Sequence, residues 1–274
     1  MSGEQILAIE PGCHLSVGDC GFPAPGSEIF FFDEIAKFTI GSTEFAVTKP
    51  MILLWIAAIV VIAFFVKIFR KAKVVPGKAQ TLGEYGYFFV RDGIARDTIG
   101  KQGDAFVPLL FSFFFFIWVL NFMGIVPFAQ FATTSRFAIP LAFAVLVYLL
   151  WVPLGVKRQG AGPFFKAMTM PPDVPKAMYV LLIPIEILSN FIVRPFTHSV
   201  RLFANMFAGH MLIVTFSVAT WYLLSPSVIG ILGSAASFTV TVGLTGFEML
   251  IQALQAYVFT LLAAVYINDA VNAH

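Results

Sequence analysis

The run R-P-F-T-H-S-V-R-L-F-A-N-M-F-A-G-H, Arg194 to His210, carries two guanidinium groups and two imidazoles through one of the longest apolar stretches of the chain. A guanidinium stays protonated at any physiological pH, so Arg201 cannot relieve burial by neutralising. Holding an ionised group at bilayer depth costs about 3 to more than 10 kcal/mol, which marks such a residue as functional and requires a partner for it. Glu186 is the nearest acid in the same helical run, about 22 Å away at the helical rise. The partner of Arg201 is therefore expected elsewhere.

Working outward, the composition fixes the class. Of 274 residues 59% are hydrophobic and only 12% charged, with a mean hydropathy of +0.88, which excludes an ordinary soluble domain. A net charge of +2 gives no electrostatic footprint for nucleic acid, and the 32 Phe residues read as lipid-facing and packing bulk. Residues 1–49 are polar to mixed and lack the basic region and cleavage site of a signal peptide, so they are expected to remain attached outside the membrane. Cys13 and Cys20 lie there, either joined in a small loop or free.

Apolar segments follow at 50–70, 105–128 and 137–156. Basic residues cluster after the first (Lys67, Arg70, Lys71, Lys73, Lys78) and after the third (Lys157, Arg158, Lys166, Lys176), with Arg136 alone between the second and third. The positive-inside rule makes the two basic loops cytoplasmic and places the N-terminus and the Arg136 loop outside, with the C-terminus cytoplasmic. Residues 79–103 mix apolar side chains with Arg91, Asp92, Arg96 and Asp97, expected as an amphipathic helix in the interface. The proline-rich residues 160–175 are expected to be a turn-rich connection.

Residues 176–224 and 228–271 are each too long for one upright crossing, since a helix of that length spans roughly 65–75 Å against a hydrocarbon core of about 30 Å. No turn cluster interrupts either one, and Ser225-Pro226-Ser227 separates them. The expected architecture is an all-α membrane protein of about five to six transmembrane or intramembrane helices. It includes the interfacial helix and a C-terminal hairpin of two long, strongly tilted helices, all within one membrane domain at 50–274.

On a helical wheel Glu186, Asn190, Arg194, Thr197, His198, Arg201 and Asn205 share a stripe about 120° wide. Glu248, Gln252, Gln255 and Tyr266 form a second stripe on the last segment. Two polar faces within apolar helices, one with an arginine and the other with a carboxylate, suit an ion path. Asn190, Thr197, Asn205 and Gln252 equally suit hydrogen bonding between helices, and Arg194 suits an interface or a pairing with Glu186 or His198.

These residues resemble a known family. The Arg194–His210 run, the L-Q-A-Y around Gln255, Tyr266 near the end, and N-F-M-G-I-V-P beginning at Asn121 are similar to subunit a of the rotary ATP synthase, over the chain from about residue 50 onward. The resemblance implies a stator that loads protons onto a ring of c subunits and unloads them, held in place by subunit b of the peripheral stalk and the remaining synthase subunits. It implies that Arg201 faces the ring carboxylates and separates the two half-channels. It places Asn205, His210, Glu248 and Gln255 in the inlet, with Asn121 as a lesser candidate. Glu186, Asn190, Arg194, His198, Gln252 and Tyr266 form the outlet or its supporting stripe. Many bacterial relatives carry an acid where His210 stands and a histidine where Glu248 stands; here the types are exchanged, and the two are expected to act as a pair across the hairpin. Gly124 stands where some relatives carry an acid.

No nucleotide-binding loop, metal cluster or nucleophile motif is present in the sequence, so the chain is expected to be non-catalytic and without cofactor. The residues leave the coupling ion open between proton and sodium. A bacterial cell membrane is the expected location. The alternative is a stand-alone secondary ion transporter, which calls for repeated half-sites, and the Arg201 motif is not repeated.

Overall fold

Helix α1 (Lys49–Phe69) runs from Lys49 to Lys67 without an intervening charge, and Pro50 sits in its first turn, where a missing N–H is tolerated. Only Pro50, Leu53 and Ala57 are buried, a single narrow seam, while Trp55, Ile59, Ile62 and Val66 point away from the protein. An apolar face of that width outside the protein core is what lipid or another membrane chain covers. The computed structural model describes residues 22, 24–32, 34–40, 43–70, 73–127, 129–170, 175 and 178–272. Cys13 and Cys20 lie outside them. Among the described residues five helical stretches are long and apolar enough to cross a membrane: Lys49–Phe69, Lys101–Phe122, Ala138–Gln159, Tyr179–Leu223 and Val228–Val271.

Before α1 stands a two-stranded antiparallel hairpin, β1 (Glu34–Ile40) and β2 (Thr43–Thr48), paired from Glu34 opposite Thr48 to Ile40 opposite Thr43. The sequence reading gave this segment no structure. From Ala36 onward, Lys37 and Thr39 alternate with Ala36, Phe38 and Ile40, which is the period of a strand, and a stretch with Pro23, Pro25 and Gly26 precedes it.

Helix α2 (Lys78–Val90) continues through a π-helical turn (Arg91–Arg96) into the short α3 (Asp97–Ile99), and stops at Gly100 with φ of 81°. Gly86 allows a close approach: a Cβ there would come within 2.7 Å of the Phe115 ring. Glycine in this segment is thus a packing device within a helix. Arg96 grips Asp104 with two hydrogen bonds of 2.7 Å and Asp92 with one of 3.3 Å, and donation to the Asp104 carboxylate holds its guanidinium above the ordinary pKa. The one-turn pairing of Asp92 with Arg96 is therefore the weaker contact.

A 3₁₀ stretch (Lys101–Phe106) leads into α4 (Val107–Phe122), which ends as the N-F-M-G-I-V-P run turns. The following loop is buried, from Phe131 through Ser135. Helix α5 (Ala138–Gln159) is followed by α6 (Ala161–Thr169), where the sequence reading expected only turns. Pro163 does not break α6 because it lies in the first turn, whose N–H groups have no acceptor within the helix. Phe164 anchors it against Trp151, ring centroids 5.7 Å apart.

Helix α7 (Tyr179–Leu188), a π turn (Ser189–Val193) and α8 (Arg194–Leu223) join into one helical rod of 45 residues, roughly 67 Å by the helical rise. The wide turn precedes Pro195, whose missing N–H removes the donor that the Phe191 carbonyl would otherwise receive. Helix α9 (Val228–Val271) is uninterrupted for 44 residues. Ser227 caps it, accepting from the Gly230 N–H at 3.1 Å. Ser234 and Ser237 of α9 donate to the Thr220 and Phe216 carbonyls of α8 at 2.8 and 2.9 Å, which fixes the hairpin register.

The chain forms two compact units. The first comprises Met1–Ala58, Leu120–Arg136 and Ala204–Ala253; the second comprises Ile59–Val119, Phe137–Phe203 and Leu254–His274.

Candidate functional site

Along α8 the polar stripe divides into two rows one residue apart. Thr197, Arg201 and Asn205, spaced by four, are exposed, whereas His198, Leu202 and Met206 are buried. Ala204 and Ala208 flank the exposed row and keep it shallow. Among the described residues the Arg201 guanidinium has no hydrogen bond or ion pair; it lies within electrostatic reach of His198 and Tyr266. Its charge is thus presented outward from a membrane-length helix, with no carboxylate among the described residues paired to it.

In the first unit a buried polar chain runs from the loop after α4 to α9. Thr134 donates to the Asn121 side-chain carbonyl at 2.5 Å, and Asn121 donates to the Gln252 main-chain carbonyl at 3.3 Å. Gln252 in turn faces Glu248 at 3.4 Å, a long contact. Asn121, Thr134, Gln252 and Glu248 are all buried. One Glu248 oxygen, Oε2, and the Gln252 side-chain oxygen have no hydrogen-bond partner among the described residues. Across from Glu248 on α8 is Gly209, which leaves room for the carboxyl group. His210, the next residue, turns to the Phe30 ring instead, centroids 5.7 Å apart. The structure therefore does not bring His210 and Glu248 into hydrogen-bond contact, although α8 and α9 carry both in this unit.

The second unit holds the other polar residues. Asn190, inside the π turn, donates to the Met168 carbonyl at 2.9 Å and to Glu186 at 3.1 Å, while Tyr148 donates to the Asn190 carbonyl at 3.1 Å. His198 packs against Phe259 with the rings tilted by 38° and centroids 3.9 Å apart, and edge-on to Tyr266 at 5.8 Å. Arg194 pairs with Asp269 at 3.7 Å, not with Glu186 or His198. Gln255 is buried on the same α9 face as Tyr266. Four partners went unread in the sequence: Thr134, Tyr148, Met168 and Asp269. Asp269 alone carried a signal, since it stands three residues beyond Tyr266 on the polar face.

No group of three or more His, Cys, Asp or Glu side chains suited to a metal ion exists among the described residues. The first unit thus holds the buried line of Asn121, Gln252 and Glu248, and the second holds the outward Arg201. The family described as ATP synthase A chain matches residues 51–268, which includes Asn121, Arg201, Glu248 and Gln252 and stops one residue before Asp269. The chain belongs to that family. It is similar to ATP synthase subunit a of Streptomyces lividans, 47% identical with 98% of this chain and 95% of the relative covered. It is also similar to ATP synthase subunit a of Frankia alni, 44% identical with 93% and 88% covered. Membership agrees with the all-α membrane architecture. The family match begins just inside α1, so the β-hairpin lies outside it, while the Streptomyces relative extends over the hairpin.

Proposed function

We propose that the chain is the proton-translocating stator of a rotary ATP synthase in a bacterial cell membrane, with Arg201 meeting the carboxylates of a passing c-subunit ring. The observation that carries this reading is the outward row Thr197, Arg201 and Asn205, in which a permanent cation stands on an apolar helix with no acid paired to it among the described residues. A cation brought close to a carboxylic acid lowers that acid's pKa and favours release of its proton. The same charge blocks a proton from crossing directly between two half-channels. Each elementary charge that moves across 100 mV releases about 2.3 kcal/mol, so a leak at this point would dissipate the driving force.

The buried line Asn121, Gln252 and Glu248, with Asn205, His210 and Gln255, supplies the inlet. Glu186, Asn190, Arg194, His198 and Tyr266 supply or support the outlet. Amide, imidazole and carboxyl groups both donate and accept hydrogen bonds, as a proton relay through a low-dielectric interior requires. The species handled is the coupling ion, a proton in this reading with sodium as the alternative; phosphate chemistry belongs to other subunits, and subunit b anchors the chain against the turning ring. ATP-driven proton pumping in membrane vesicles tests the reading. Arg201→Ala is expected to abolish it, and full coupled pumping by that variant contradicts the assignment.

A further inference from the structure

Phe30 precedes the β-hairpin, yet it is 5% exposed and shares an apolar cluster with Leu53 of α1 and with Ala129 and Phe131 of the loop after α4. Its ring stacks on Phe207 of α8 with centroids 4.5 Å apart, and it is this ring that the His210 imidazole meets edge-on. A polar tie supports the apolar one: the Arg136 guanidinium donates to the Phe30 carbonyl from Nε at 3.2 Å and from Nη2 at 3.0 Å. Phe32, two residues on, meets Phe131 edge-on at 4.7 Å and lies 5.1 Å from the Lys49 ammonium.

A short segment outside the membrane helices loses conformational entropy when it is held in one place, so it stays there only if its contacts outweigh that loss. Here the contacts converge on one spot. The aromatic ring covers one side of the imidazole, and a two-pronged guanidinium grip fixes the main chain that carries the ring. Arg136, the lone cation of its loop, is thereby given a task beyond marking topology.

We propose that Ile29–Phe32 is a latched cover over His210, with Phe30 as the seal and Arg136 as the latch, so that water reaches the imidazole only past the edge of the cover. The proposal rests on reading His210 as part of the proton inlet. An apolar face against the ring excludes water from that side, which leaves fewer routes by which a proton is delivered.

A cysteine at the covered position tests this. In the assembled complex, with Cys13 and Cys20 replaced by serine, His210→Cys is titrated with a water-soluble methanethiosulfonate. Slow labelling is expected while Phe30 is present. Phe30→Ala and Arg136→Gln are each expected to raise the rate roughly tenfold or more by shifting a local opening equilibrium, whereas Phe30→Tyr keeps the ring and the slow rate. If Phe30→Ala does not assemble, Phe30→Leu takes its place, since it keeps apolar bulk without the stacked plane. An unchanged rate in the Phe30 variant overturns the seal, and an unchanged rate in Arg136→Gln overturns the latch. Labelling needs no proton transport, so either failure leaves the inlet reading standing. Normal pumping by His210→Ala would instead remove the inlet reading while leaving the labelling result intact.

Discussion

Gly209 of α8 stands directly against the carboxyl group of Glu248 on α9: a Cβ at position 209 would lie 3.2 Å from the Glu248 carboxyl carbon and 3.4 Å from Oε1. The residue next to His210 therefore sets the space available to the buried acid. Overpacking of this kind costs ~1–3 kcal/mol, and each ~1.4 kcal/mol at a rate-limiting step is a factor of about ten. Gly209→Val is expected to reduce ATP-driven pumping to about a tenth or less, with Gly209→Ala intermediate. Glu248→Asp shortens the acid, so the double variant Gly209→Ala with Glu248→Asp should pump better than the product of the two single losses. Plain multiplicative losses would show that the close approach has no role.

Asn121 joins two elements that have no other described polar tie of this kind, the loop residue Thr134 and the α9 main chain at Gln252. Replacing it with alanine leaves the buried Thr134 hydroxyl without its acceptor, at ~1–3 kcal/mol, whereas the Gln252 carbonyl keeps its helical N–H partner and loses only a second, longer contact. Asn121→Ala is expected to lower the temperature at which the complex loses this subunit, and Thr134→Val to lower it less. A double-variant cycle should return a coupling of about 0.5–3 kcal/mol. Additive effects would mean that the 2.5 Å contact contributes nothing to cohesion.

The membrane segments and the α9 stripe were legible because each rests on one regular property. Apolar length marks a crossing, and a period of 3.6 brings Glu248, Gln252, Gln255 and Tyr266 to one buried face. The α8 stripe was legible only in part. A wheel drawn at 100° per residue drifts across the π turn at Ser189–Val193, so Asn190 turns inward to Met168 while Arg201 faces out. Thr134 lies in a loop, where no period exists to reveal its side-chain direction. The β-hairpin went unread because its alternation is short and follows a Pro- and Gly-rich stretch, and α6 because Pro163 looks like a breaker unless the helix start is known.

Arg194 and Asp269 are both about half exposed at 3.7 Å, which is the geometry of a weak ion pair. Such pairs contribute ~0.2–1 kcal/mol. Arg194→Gln and Asp269→Asn are each expected to shift subunit stability by less than about 1 kcal/mol, with a coupling of similar size that fades at high salt. A coupling above about 2 kcal/mol would place the pair among buried, hydrogen-bonded ion pairs and contradict the exposure seen here.

The two rows on α8 separate what charge does from where it stands. Asn205 follows Arg201 by one turn on the exposed row, whereas Leu202 is its neighbour on the buried row. If Arg201 acts as an outward cation toward a ring carboxylate, a cation one turn away on the same row retains part of the action, about 6 Å displaced along the axis. Arg201→Ala combined with Asn205→Arg is therefore expected to assemble and to restrict passive proton leak more than Arg201→Ala alone. Arg201→Ala combined with Leu202→Arg drives a charge into a packed apolar position and is expected to lose assembly, since an unpaired buried charge costs several kcal/mol. The measurement is proton conductance of vesicles stripped of the catalytic sector, read beside immunodetection of the chain. Equal leak from Arg201→Ala and from its combination with Asn205→Arg, at equal chain levels, would mean that the action of Arg201 depends on more than a positive charge on that row.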